Sequence, residues 1–85
     1  MAQIPLVSNF EGDFVLQLVA VDDGCTMDEV AQACAVHSVG RRVKPQPGRT
    51  LRVRVQDAPA PVGRAVTVRD AGFRPMEAIE VYFEN

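Results

Sequence analysis

The 85-residue chain is 47% hydrophobic and 24% charged, the balance of one ordinary globular domain spanning residues 1–85 and not of a disordered tail or a disulfide scaffold. No apolar run approaches the ~20 residues a membrane helix needs, and the N-terminus lacks the basic start and apolar stretch of a secretion signal, so a cytoplasmic location is expected. Net charge is −2 but unevenly laid: residues 1–40 hold six acids and no Lys or Arg, residues 41–74 hold all nine basic residues with Asp57 and Asp70, and residues 75–85 add three acids. Either these segments neutralise one another across neighbouring strands, or the basic middle is a docking face. Nucleic acid is a poor partner, because the basic residues come with almost no stacking aromatics and the chain as a whole is acidic.

In chain order, Ile4, Leu6, Ser8 and Phe10 alternate with Pro5 and Val7 in a first strand, where Pro5 lacks a ladder donor and marks a bulge or the strand start. Glu11, Gly12 and Asp13 turn the chain into a second strand over 14–21, completing a hairpin. Gln17 is the one polar residue of that run, which selects Phe14, Leu16, Leu18 and Ala20 for the core and turns Val15, Val19 and Val21 outward; a one-residue bulge would exchange the two faces. Asp22, Asp23 and Gly24 lead into the segment with a full helical signature, 26–40. Thr26 and Glu29 form a capping box, and Met27, Val30, Ala31, Cys34 and Ser38 make a narrow apolar stripe. Gly40 offers a left-handed stop, with Arg41 and Arg42 at the negative end of the dipole.

Two prolines and a glycine make 41–49 an ordered crossover. Residues 50–56 return to strand, with Leu51, Val53 and Val55 on one face and Arg52, Arg54 and Gln56 on the other. Prolines in 57–63 forbid a central strand there. Thr67 with Asp70, followed by Gly72, predicts a single helical turn over 67–71, with Phe73 plugging the core behind it. In the last strand, 78–84, Ile79, Val81 and Phe83 alternate with Glu80, Tyr82 and Glu84. The expected core is Leu16, Leu18, Met27, Val30, Cys34, Leu51, Val53, Phe73, Ile79 and Val81. Hairpin, helix, strand, one-turn helix, strand is the order of an α+β fold of the β-grasp, or ubiquitin-like, class, with a mixed sheet of four to five strands and one main helix. Residues 67–81 resemble the corresponding stretch of ubiquitin-like proteins. That likeness implies strand order 2-1-5-3, with a short fourth strand near 65–66.

The chemistry found on some such folds finds no support in these residues. Modifiers and sulfur carriers need a free C-terminal Gly-Gly, whereas this chain stops at Asn85 after strand residues. An iron–sulfur ferredoxin needs four cysteines, and there are two. Cys25 and Cys34 lie too far apart for a disulfide, and Cys34, inside the apolar stripe, should be an inert core residue. His37, the only histidine, stands near Cys34 but would need two further ligands to hold zinc; a packed histidine is the expectation. Ser8 or Ser38 with His37 gives no nucleophile pair, because Ser38 is adjacent on the helix and faces away. No catalytic, cofactor-binding or metal-ligating residue is therefore assigned to this chain.

Over residues 4–83 the chain resembles the small gamma subunit of bacterial multicomponent di-iron hydroxylases, the toluene, aromatic and alkene monooxygenase group. The likeness runs through Asn9-Phe10-Glu11, Asp13-Phe14, Gln17-Leu18-Val19, Met27-Asp28, Val30-Ala31, His37-Ser38 and Arg41-Arg42-Val43. It continues in Pro45, Pro47, Leu51-Arg52-Val53-Arg54, Asp70-Ala71-Gly72 and Arg74-Pro75. The resemblance implies a non-catalytic subunit in a dimer of three-subunit protomers, in which the alpha subunit holds the di-iron centre and a beta subunit completes the protomer. A reductase, a Rieske ferredoxin and a small effector protein complete such systems. Members acting on toluene tend to carry an aromatic residue where this chain has Val36 and Phe-Pro where it has Val62-Gly63 before Arg64; these departures weigh against an aromatic substrate and leave alkenes or isoprene-like dienes open. An autonomous ubiquitin-like adaptor that binds partners transiently is the second reading, and the dissociable effector of such a system is the third.

For a subunit, the residues that matter are those that dock. With Leu51, Val53 and Val55 turned inward, Arg52 and Arg54 stand on the open face of the sheet, where Tyr82, Glu80, Val15 and Val19 are expected to join them. Arg41, Arg42 and the proline loop that follows are the alternative surface. The competing expectation is that Arg52 and Arg54 merely pair with Glu80 and Glu84 across the strands.

Overall fold

A four-stranded mixed sheet carries one helix on one face, with strand order β2-β1-β4-β3: β1 (Gln3–Phe10), β2 (Gln17–Asp22), β3 (Thr50–Val55) and β4 (Glu77–Glu84). The computed structural model describes residues 3–13, 16–36, 38–39, 43–44, 46 and 48–84. The order matches the β-grasp expectation, with β4 as the last strand running parallel to β1 at the sheet centre and antiparallel to β3. Residues 65–66 add no strand to the sheet. Their segment instead binds the helices together, since the Met27 N–H donates to the Val66 carbonyl and the Val68 N–H to the Cys25 carbonyl, each at 2.9 Å.

The main helix, α1 (Met27–Val36), starts at the capping box read from sequence: the Glu29 N–H donates to Thr26 Oγ1 at 3.3 Å and the Thr26 N–H to Glu29 Oε1 at 2.9 Å. It ends sooner than expected. The N–H groups of Ser38 and Val39 both fold back on the Ala35 carbonyl, closing the last turn; Gly40, Arg41 and Arg42 lie outside the described residues. Thr26→Ala should cost about 0.5–2 kcal/mol by orphaning first-turn donors, read as a lowered Tm of the free chain. The one-turn helix α2 (Val68–Ala71) is capped as expected, with Thr67 accepting from the Asp70 N–H at 3.1 Å and Gly72 at φ 75°.

Met27, Val30, Ala31 and Cys34 of α1 are buried on a sheet face made by Leu6 and Phe10 of β1, Val19 and Val21 of β2, Val53 of β3, and Ile79 and Val81 of β4. Phe10 meets Phe83 edge-on with ring centroids 5.7 Å apart. Val68 and Phe73 seal the end beneath α2. Leu51 and Val55 are partly buried against this core.

The hairpin corrects the sequence reading. Val19 and Val21 are inside, while Leu16 and Leu18 are 62% and 63% exposed and Ala20 is also exposed. The cause is register: Leu6 pairs with Val19 and Ile4 with Val21, so the inward residues of β1 fix which residues of β2 follow them. Gln17 sits on the core side, but half-buried at the strand's first position and opposite Ser8.

Candidate docking face

The helix covers one face of the sheet, and among the described residues no helix or strand packs on the other. Alternation places Pro5, Val7 and Asn9 of β1, Leu18 and Ala20 of β2, Arg52 and Arg54 of β3, and Ala78, Glu80, Tyr82 and Glu84 of β4 on that open face. The strand register sorts them into two halves. Leu18, Val7 and Ala78 form one apolar row, with Ala20 beside Pro5 next to it. Asn9, Glu80 and Arg54 form a polar row, and Tyr82 faces Arg52.

In the polar half, the Arg54 Nε donates to Glu80 Oε1 at 2.8 Å, its Nη2 reaches the same oxygen, and its guanidinium lies 5.4 Å from the Tyr82 ring centroid. Arg52 Nη1 donates to Glu84 Oε2 at 2.8 Å and Nη2 to the Val62 carbonyl at 3.3 Å, while its buried Nε finds no partner among the described residues. Two further ion pairs, Arg64 with Asp28 at 2.9 Å and Arg69 with Asp23 at 3.1 Å, also join the basic middle of the chain to an acidic end. The hydrogen bond from Arg64 holds the Asp28 carboxyl below the ordinary carboxylate range. Neutralisation across the segments is therefore what these pairs achieve within the free chain.

Of the residues expected to dock, Arg52, Arg54, Glu80 and Tyr82 share the open face. Val19 does not: at 4% exposure it belongs to the core, because the hairpin faces are exchanged. Val15, Arg41 and Arg42 lie outside the described residues. The apolar half, Leu18 above all, was missed; the signal that could have found it was the inward set Leu6, Ser8 and Phe10 of β1. Met76 lies beside this half, 56% exposed with φ 67°, its N–H donating to the Pro5 carbonyl at 2.6 Å.

Other concavities offer less chemistry. A cleft of about 370 Å³ between α1 and the start of β3 is lined by Asp28, Gln32, Gln46, Arg49, Arg64 and Phe83. Its charged groups are already engaged: Arg64 with Asp28, and Arg49 with the Gln46 side chain and the Phe83 carbonyl. The Cys34 thiol is buried, and burial pushes its pKa up against the opposing hydrogen bond from Ser8, which suits packing and not nucleophilic work. Among the described residues no three His, Cys, Asp or Glu side chains are grouped to hold a metal ion; His37 lies outside them. No helix there is long and apolar enough to cross a membrane.

Comparison with known proteins places this architecture. A relative in Ectopseudomonas mendocina, the hydroxylase component subunit gamma of a toluene-4-monooxygenase system, is 42% identical over 85 residues, covering all of both chains. The oxygenase component subunit gamma of an alkene monooxygenase system from Xanthobacter autotrophicus (strain ATCC BAA-1158 / Py2) is 52% identical over 50 residues, 59% of this chain and 57% of that one. A solved structure of a toluene 4 monooxygenase HD complex with the inhibitor 4-bromobenzoate contains a chain that superposes with a TM-score of 0.93. The two are 41% identical, over 98% of this chain and 100% of that one. The family model for toluene-4-monooxygenase system protein B (TmoB) matches residues 3–83, and the chain belongs to that family.

Proposed function

We propose that this chain is the non-catalytic gamma subunit of a soluble di-iron hydrocarbon monooxygenase. The observation that carries the reading is the 42% identity over 85 residues, all of this chain and all of that one, with a hydroxylase-component gamma subunit. In this reading the alpha subunit holds the two irons and reacts O2 with an aromatic or alkene substrate. Alpha, beta and this chain form the protomer of a dimer, served by a reductase, a Rieske ferredoxin and an effector protein in the cytoplasm. The contribution of this chain is a docked, rigid β-grasp unit. Its open sheet face meets the large subunit, with Arg52, Arg54, Tyr82 and Glu80 at one side. Tyrosine and arginine bury large area and make directed hydrogen bonds, and the unpartnered Arg52 Nε is a donor that a partner's carbonyl or carboxylate can take.

Co-expression of this chain with the other hydroxylase subunits tests the reading. R52E/R54E should remain folded but be lost from the purified complex, because the partner surface then meets charges of the wrong sign. The same substitutions also break the pairs with Glu80 and Glu84, so the fourfold swap R52E/R54E/E80R/E84R separates the two effects. It restores pairing within the chain, and it should recover Tm without recovering the complex. Co-purification of R52E/R54E at wild-type yield would remove the polar half of this face from the interface.

A further inference from the structure

The two edges of the sheet are finished differently. At the β3 edge the chain closes over its own strand: the Val62 N–H donates to the Val53 carbonyl at 2.8 Å, and Arg52 reaches the Val62 carbonyl. At the β2 edge the direction of the backbone groups follows from Pro5, whose carbonyl accepts from Met76 on the β4 side. In an antiparallel ladder, facing residues either exchange both hydrogen bonds or both turn away from each other, in alternation. Pro5 and, two residues on, Val7 turn toward β4. Their register partners Ala20 and Leu18 therefore direct N–H and C=O out of the sheet. Neither residue makes a hydrogen bond in that direction among the described residues.

Such an edge is ordinarily guarded by a lysine, a proline, a bulge or a covering loop. Residues 16–21, LQLVAV, contain no charge and no proline, and the register from Gln17 to Asp22 is unbroken. We infer that the β2 edge receives an extended, uncharged segment of another hydroxylase subunit, which adds as a fifth strand and lays apolar side chains beside Leu18 and Ala20. The inference rests on the reading of this chain as a hydroxylase subunit. A backbone is the occupant because alternate N–H and C=O groups at strand spacing are complemented by another strand. It is uncharged because Leu16, Leu18, Ala20, Val7 and Ala78 offer no counter-charge to a desolvated ion.

Amide hydrogen exchange, read residue by residue in the free full chain and in the purified complex, tests this together with Ala20→Pro. Proline at Ala20 removes only the outward N–H and keeps the ladder to β1. The Leu18 and Ala20 amides should exchange fast in the free chain and be slowed by about tenfold or more in the complex. A20P should melt close to wild type and be retained in the complex about tenfold less well. Fast exchange of both amides in the intact complex, or folded A20P retained at wild-type yield, overturns the added strand while leaving the subunit reading in place. Protection that grows with concentration in the free chain overturns it in favour of pairing between two copies. A wild-type chain that joins no complex at all removes the subunit reading, and the inference falls with it.

Discussion

Val19→Asp should abolish cooperative folding of the free chain, whereas Leu18→Asp, one residue earlier, should leave it folded. Val19 is 4% exposed and pairs in register with the fully buried Leu6, so a carboxylate there loses its water and gains no partner. Burying an unpaired charge costs several kcal/mol, against a total stability of about 5–15 kcal/mol for an ordinary domain. Leu18 is 63% exposed on the open face, where the same substitution keeps its hydration and costs about 1 kcal/mol through strand propensity. Far-UV circular dichroism with a thermal melt separates the outcomes. Equal melting of the two variants would mean that the hairpin faces are not those described. Folded Leu18→Asp is also a tool, since it sets a charge on the apolar row without touching the core.

How much of this was legible beforehand depended on whether the signal was local. The caps at Thr26 and Thr67 are read within four residues, because a side-chain oxygen three positions before an orphan donor has few other tasks. The alternations in β3 and β4 were equally clear, since Val53, Ile79 and Val81 face one core and the charged residues between them face away. The hairpin was not legible. Each of its strands carries a polar residue on the inward side, Ser8 and Gln17, and the register sets them opposite each other. Ser8 is buried because it hydrogen-bonds with Cys34, a contact between two elements that no window of sequence contains. Reading Gln17 as a marker of the solvent side therefore inverted the strand. The exposed leucines are a second reason, for apolar residues placed outward break the pattern where an interface is proposed. The outcome is that Val19 leaves the candidate site and Leu18 enters it, while Arg52, Arg54, Glu80 and Tyr82 keep the face that alternation assigned to them.

Ile79→Ala should lower the stability of the free chain by about 2–5 kcal/mol, a large share of the about 5–15 kcal/mol that an ordinary domain has. Ile79 is fully buried and sits on the central strand β4, paired with Ser8 of β1 on one side and Val55 of β3 on the other. Its side chain lies in the one core cluster, where α1 supplies Met27, Val30 and Cys34 from above. Removing three carbons leaves a cavity that paired strands on both sides keep from collapsing, which favours the upper part of that range. In a domain this small each kcal/mol moves Tm by about 4–8 °C, so a fall of at least about 8 °C is expected. Ile79→Val, which removes one methyl group, should cost about 0.5–1.5 kcal/mol and give an intermediate melt. The measurement belongs on the free chain, because binding partners raise apparent stability by mass action and would mask the loss in the complex. A melt of Ile79→Ala within a degree or two of wild type would take β4 out of the centre of the sheet, and with it the register that places Glu80 and Tyr82 beside Arg54 and Arg52.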